Sequence, residues 1–196
     1  YDNALSSVFQ FRERTGNPNR VQGNVRLSAT DLSATLEGPL SNNGKTTFLA
    51  SARRSYLQFL FSVIDLPIRP NYWDFQTKIT HQINDKTTLS FIGLGAIDEF
   101  SFAKLKDATP EKLYVLNSNP FINQWNYTAG VTLKRLVQDG FINFALSRNT
   151  FDNDIQQYQD NETKLADEKT LSYHSQETEN KLRIDVNKYR NGWKWA

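Results

Sequence analysis

Trp125, Tyr127, Ala129, Val131 and Leu133 alternate with Asn126, Thr128, Gly130, Thr132 and Lys134. A period of two sustained over ten residues puts one set on each face of a strand. One wall is apolar with aromatic residues at its end; the other is small and polar. Gln138-Asp139-Gly140 supplies turn chemistry, and Phe141, Ile142, Phe144 and Leu146 form the return strand. A soluble sandwich has a similar alternation, so this hairpin alone leaves the fold class open.

The pattern recurs along the chain. Arg20–Ser28 sets Val21, Gly23, Val25 and Leu27 against Gln22, Asn24, Arg26 and Ser28, and Ala29-Thr30-Asp31 breaks the phase. Leu32, Ala34 and Leu36 follow on one face, Ser33, Thr35 and Glu37 on the other. Ser41-Asn42-Asn43-Gly44-Lys45 is a strong hairpin turn, because Asn and Gly tolerate positive φ. Thr46–Tyr56 returns with Phe48, Ala50 and Ala52 opposite Thr47, Ser51 and Arg53. Leu57–Asn71 is expected to be a long loop with room for a short helix. Tyr72–Ile83 alternates Trp73, Phe75, Thr77 and Ile79 with Asp74, Gln76, Lys78 and Thr80, turns at Asn84-Asp85-Lys86 and returns over Thr87–Phe100. Phe102–Pro120 and Asn149–Gln176 are expected to be two further long connections. Lys181–Tyr189 is a strand, and Arg190-Asn191-Gly192 turns into a last one at Trp193.

Strands running up and down place the four short turns at one end and the three long connections at the other, with Ala29–Asp31 the one short exception. Short turns on one side and long loops on the other are the rule in outer-membrane barrels. Arg54 falls on the apolar face, where a midplane position facing lipid would cost roughly 2–4 kcal/mol. It stands nine residues beyond Lys45. At ~3.3 Å rise and ~40° tilt that is about 23 Å, near the far edge of an apolar band ~25 Å tall. Arg54 and Tyr56 are therefore expected at headgroup level. Trp73 and Trp125, with Tyr72, Tyr127, Trp193 and Trp195, are expected in aromatic girdles, core packing being the competing explanation.

Composition sharpens this picture. Net charge is +2, which gives no electrostatic footprint for nucleic acid. The absence of cysteine excludes disulfides, zinc–thiolate sites and thiol nucleophiles. Mean hydropathy is −0.60 although aromatics make up 13%, as expected of a barrel with a polar lumen. No apolar run reaches the ~20 residues of a membrane helix. Without a Met, and opening on Tyr1-Asp2-Asn3, the chain reads as a piece of a longer protein.

The chemical motifs are weak. Gly38–Thr46 resembles a phosphate-binding loop, but five residues rather than four separate Gly38 from Gly44-Lys45-Thr46, and a hairpin turn explains it better. Gly93-Leu94-Gly95 lacks the third glycine and the helix of a dinucleotide fingerprint. His81 is expected to be an interface residue rather than a ligand. His174, near Ser172 and Ser175, is a poor candidate for a catalytic triad. Asp152, Asp154, Asp160 and Glu162 lack the spacing of a calcium loop and read as a solvated surface. No metal, cofactor or catalytic residue is expected.

Tyr1-Asp2-Asn3-Ala4-Leu5-Ser6-Ser7-Val8-Phe9-Gln10-Phe11 resembles the end of the plug domain of TonB-dependent outer-membrane transporters, with Asp2 where Gly is common. Leu36-Glu37-Gly38-Pro39-Leu40, Asn43-Gly44-Lys45-Thr46, Ser51–Tyr56 and Phe91–Gly95 with Asp98 and Phe100 are similar to the first barrel strands of that family in Bacteroidota. The resemblance implies an all-β, antiparallel up-and-down transmembrane β-barrel of about 22 strands, of which this chain holds about nine. Residues 1–19 would be the last plug strand and linker, and residues 20–196 the barrel portion. The implied function is import of a scarce solute across the bacterial outer membrane, energised through TonB by a segment absent here, with membrane lipid and lipopolysaccharide around the barrel and a surface lipoprotein as a lid. Arg12, Arg14, Glu37 and Arg53 are the expected plug–barrel contacts. The competing expectations are a barrel that binds a protein partner without transport, and a soluble carbohydrate-binding β-domain.

Overall fold

A computed structural model describes residues 12–105, 107–190 and 193–195. The sequence expectations for Tyr1–Phe11 lie outside the described residues. The strands are β1 (Gln22–Leu27), β2 (Asp31–Pro39), β3 (Thr46–Ser55), β4 (Ile68–Asn84), β5 (Thr87–Phe102), β6 (Phe121–Val137), β7 (Gly140–Tyr158), β8 (Lys169–Arg190) and β9 (Trp193–Trp195). Helix α1 (Leu57–Val63) follows β3 and α2 (Pro110–Ser118) follows β5. Among the described residues nine strands form one sheet in sequence order, and every neighbouring pair is antiparallel. The protein is thus all-β, an open up-and-down sheet.

Each short turn follows from its residues. In the β2–β3 turn Leu40 N–H donates to the Thr46 carbonyl at 2.7 Å and Gly44 adopts φ 67°. A side chain at Gly44 would also stand 2.9 Å from the Pro18 carbonyl oxygen. The phosphate-loop resemblance there is a hairpin. Asp139 takes φ 61° in the β6–β7 turn, a conformation Asp tolerates.

Three expectations need correction. Asn149–Gln176 is not a loop: β7 and β8 stay paired up to Tyr158 and Lys169, leaving only a short connection with a 3-10 turn at Ala166–Glu168. The hydrophobic period fades there because both faces carry polar residues, Thr150, Asp152 and Asp154 on one and Asn149 and Asn153 on the other, while backbone pairing continues. β4 likewise starts at Ile68, ahead of Tyr72, with Pro70 close to its beginning. Residues 12–19 carry no strand, so no strand expected within residues 1–19 includes Arg12 or Arg14.

The Phe102–Pro120 connection, expected as a loop, contains α2, and Thr109-Pro110-Glu111 is the signal that expectation missed. The Thr109 side chain accepts the Lys112 N–H, and Pro110 occupies the first turn. The Glu111 carboxyl is held below its usual range by its own backbone N–H and the Thr109 hydroxyl. This loop is tied to the β7–β8 connection by Asn161, 1% exposed. The Asn161 amide donates to the Leu116 and Asn119 carbonyls at 2.6 and 2.9 Å, and its oxygen accepts the Tyr158 N–H at 2.9 Å. Leu116, 2% exposed, packs beneath.

Replacing Asn161 with Ala leaves those backbone groups buried without partners, a cost of about 1–3 kcal/mol per group. Limited proteolysis is expected to cut Asn161→Ala faster between residues 103 and 120 and between 159 and 168, with strand content by circular dichroism unchanged.

Candidate functional site

The register resolves the sheet into two faces of opposite character. On one face the rows read Asn24–Thr35–Ser51–Gln76 and Arg26–Ser33–Arg53–Asp74 from β1 to β4. Thr132, Thr128, Asn126 and Gln124 continue this polar face on β6. On the other face the rows read Val25–Ala34–Ala52–Phe75–Gly95–Tyr127 and Phe48–Ile79–Phe91–Val131–Leu146–Leu182.

Burial is the reverse of a water-soluble sheet. On the oily face Val25 is 74% exposed, Leu146 59% and Leu182 71%. On the polar face Glu37 is 3% and Thr47 6% exposed. The oily belt also crosses the hydrogen-bonded rows obliquely. It spans Trp125 to Leu133 on β6, but on β7 it runs only from Leu146 to Ile142, nearer the short turns, and Val131 lies opposite Leu146. Strands inclined to the belt produce such a slide.

The segment 12–19 lies over the polar face near the short-turn end. Arg14 makes an ion pair with Glu37, and the Gln22 amide donates to the other Glu37 oxygen at 2.6 Å. Gln76 donates to the Glu13 carboxylate, and Lys78 Nζ donates to the Glu13 carbonyl at 2.7 Å. Gly16 is buried against β3, where a Cβ would stand 2.0 Å from the Phe48 carbonyl oxygen; only glycine lets the segment sit this close. Arg12 is exposed, with no hydrogen bond or ion pair among the described residues. Arg53 does not reach the segment. It lies higher on the polar face, where Nε and Nη2 donate to Asp74 at 2.7 and 2.6 Å and the guanidinium stands 5.4 Å from the Tyr72 ring.

The sequence placed Arg14 and Glu37 among the candidate contacts, and the structure brings them together. Glu13, Gln76 and Lys78 were missed. Gln76 and Lys78 share the polar phase of β4, which was a usable signal; that Glu13 meets them was not readable without the fold. Arg54, Trp73 and Trp125 lie on the oily face in one row, Arg54–Trp73–Ile97–Trp125. The Arg54 guanidinium sits 4.8 Å over the Trp73 ring, and Trp73 and Trp125 stack on Phe75 and Tyr127. Tyr56 stands apart: its hydroxyl donates to the Ser28 carbonyl and its N–H to the Thr30 carbonyl, which ties β3 to the β1–β2 turn. Tyr72 points to the polar face with Arg53, so it is no part of an outer girdle.

His81 on the oily face shares a hydrogen bond with Thr46 at 2.8 Å. His174 faces Asp152 at 3.8 Å, with no serine hydroxyl bonded to it among the described residues. The described residues contain no group of three or more His, Cys, Asp or Glu side chains placed to hold a metal. No helix among them is long and apolar enough to cross a membrane. No family model matches the sequence, and no curated protein or solved structure matches it.

Glu37 anchors the segment from within the sheet, whereas Arg12 lies free of it. A spin label on Thr15→Cys, in a chain with no other cysteine, is expected to gain mobility when Glu37 becomes Gln and to keep it unchanged when Arg12 becomes Gln. An unaltered spectrum for Glu37→Gln would show that this contact does not hold the segment.

Proposed function

We propose that this chain is the leading part of the barrel of a TonB-dependent importer in the bacterial outer membrane, preceded by the end of its plug. The observation that carries the reading is the inverted sheet: a continuous oily face left exposed while the polar face is the covered one. Water makes that arrangement unfavourable, and a bilayer reverses the sign. Three further features support it. Short turns lie at one end and, apart from the tight β1–β2 turn, the longer connections at the other. The row Arg54–Trp73–Ile97–Trp125 has the aromatic and basic character of a membrane interface. The segment 12–19 rests on the polar face, where a plug would meet its barrel.

In this reading the polar face lines a wet lumen, and the sheet closes with further strands, since an open edge is not stable in lipid. Import then needs no bond chemistry. A solute is caught among the long connections, held by lumen side chains and the plug, and released inward when TonB pulls the plug. The pairs Arg14–Glu37 and Lys78–Glu13 are suited to a seam that holds and lets go, because water can replace either partner. The exposed apolar residues of α1, with Phe59 at 66% and Val63 at 82%, supply a surface on which a lipoprotein lid would rest.

Two substitutions at adjacent positions test the sidedness. Val131→Arg puts a charge in the oily belt and is expected to weaken folding into bilayers by about 2–4 kcal/mol, whereas Thr132→Arg, on the polar face, should change it by less than about 1 kcal/mol. The measurement is denaturant titration of the full-length protein in lipid vesicles, with heat-modifiable gel mobility as the marker of the closed barrel. Equal effects of the two changes, or a full-length protein that stays soluble without detergent, would overturn the proposal.

A further inference from the structure

Above the seat of the N-terminal segment, toward the long connections, the polar face holds a cleft of ≈ 600 Å³. That is within the range of small-ligand sites. Its charged walls are Arg26, Arg53 and Asp74 on one row and Asp31 beside it. These charges are not equivalent. Arg53 and Asp74 satisfy each other through two N–H donors at 2.6 and 2.7 Å. Arg26 is exposed and has no ion pair or hydrogen-bond partner among the described residues. Asp31 accepts a hydrogen bond from the Thr30 hydroxyl at 3.2 Å and lies in the field of Arg53, diagonal to it across β2 and β3, but meets no cation within ion-pair distance among them.

The register fixes how the two unpaired charges are spaced. Arg26 lies opposite Ser33, and Asp31 is two residues beyond Ser33 on the same face. Such diagonal neighbours have Cα atoms roughly 7–8 Å apart. The two side chains do not meet each other, and the small Ser33 leaves the space between them open. Asn126, facing the same cleft, offers an amide donor and acceptor with no side-chain partner among the described residues. Phe75, the aromatic residue that lines the cleft, belongs to the oily face and stacks on Trp73, and the nearby Tyr72 ring is engaged by Arg53, so among the described residues no ring of the polar face is left open in the cleft for a neutral sugar.

We propose that this cleft is a subsite for a zwitterionic solute of the short-peptide class. The solute carboxylate lies on the Arg26 guanidinium, its ammonium on the Asp31 carboxylate, and its amide groups against Asn126 and Ser33. Arg53, held by Asp74, stands behind Asp31 and keeps that end of the cleft anionic. This assignment rests on the barrel reading, in which the polar face is the lumen.

The test is calorimetric titration of the full-length protein in detergent with trialanine, trialanine amide and N-acetyl-trialanine. Trialanine should bind, and blocking either end should weaken binding at least about tenfold, as expected for loss of a charge-assisted contact. In Arg26→Gln the free acid and the amide should bind equally; in Asp31→Asn the free amine and its acetyl derivative should. Arg26→Lys should keep most of the preference for the free acid, which separates a charge contact from a folding defect, and heat-modifiable mobility checks each variant. Absence of trialanine binding, equal binding of the blocked peptides, or an Arg26→Gln protein that still prefers the free acid would overturn the subsite. A full-length protein that folds into bilayers yet shows none of these preferences defeats the subsite alone; one that does not enter bilayers defeats the barrel reading itself.

Discussion

The whole molecule depends on one constraint: every strand must present its oily side chains to the same face while its backbone groups pair with its neighbours. Unbroken antiparallel pairing from β1 to β8 satisfies backbone N–H and C=O groups within the sheet, which is the requirement a bilayer imposes most strongly. With the backbone satisfied, the side chains alone decide what each face can touch. The oily face finds no second sheet to pack against: among the described residues the buried hydrophobic side chains are Leu49 and Leu116, and Leu49 is on the polar side. A soluble β-domain of this size would have the reverse, an apolar interior and a polar exterior.

The polar face gains its cover from the segment 12–19. The attachments are an ion pair, the side-chain amides of Gln76 and Asn17, and a lysine reaching a backbone carbonyl, with one glycine admitting the close approach. Apolar packing across this seam would be hard to undo by a modest pull. Charged and amide contacts beside water are different, because solvent can take over each partner as the segment lifts. The same chemistry continues upward in Arg53–Asp74, with Arg26 and Asp31 beside it.

The end carrying the long connections is ordered by other means. Asn161 joins two connections by serving backbone groups of both, and Phe102, Phe121 and Tyr158 stack edge to face beside it, with Lys164 Nζ 3.8 Å over Phe121. The connections therefore form a fixed rim around the upper sheet. β7 and β8 rise into this rim as a hairpin with polar residues on both faces, Phe151, Ile155, Leu171 and Tyr173 being the apolar side chains of one of them.

The sequence by itself determined the alternation, and with it the strands, the short turns and the sorting of residues between two faces. It did so because a strand's side chains obey a period of two wherever one face is oily. That signal ends where the oil ends, so the upper halves of β7 and β8 were invisible although their backbones are paired. The Phe102–Pro120 connection was expected as a loop; the capping residues Thr109 and Pro110 were the local signal of α2 that this expectation missed. Register was not local. Only the tertiary structure set Glu13 beside Gln76 and Lys78, gave Arg53 to Asp74 rather than to the N-terminal segment, turned Tyr72 inward and aligned Arg54 with Trp73 and Trp125, because each of those meetings depends on how far one strand slides along the next.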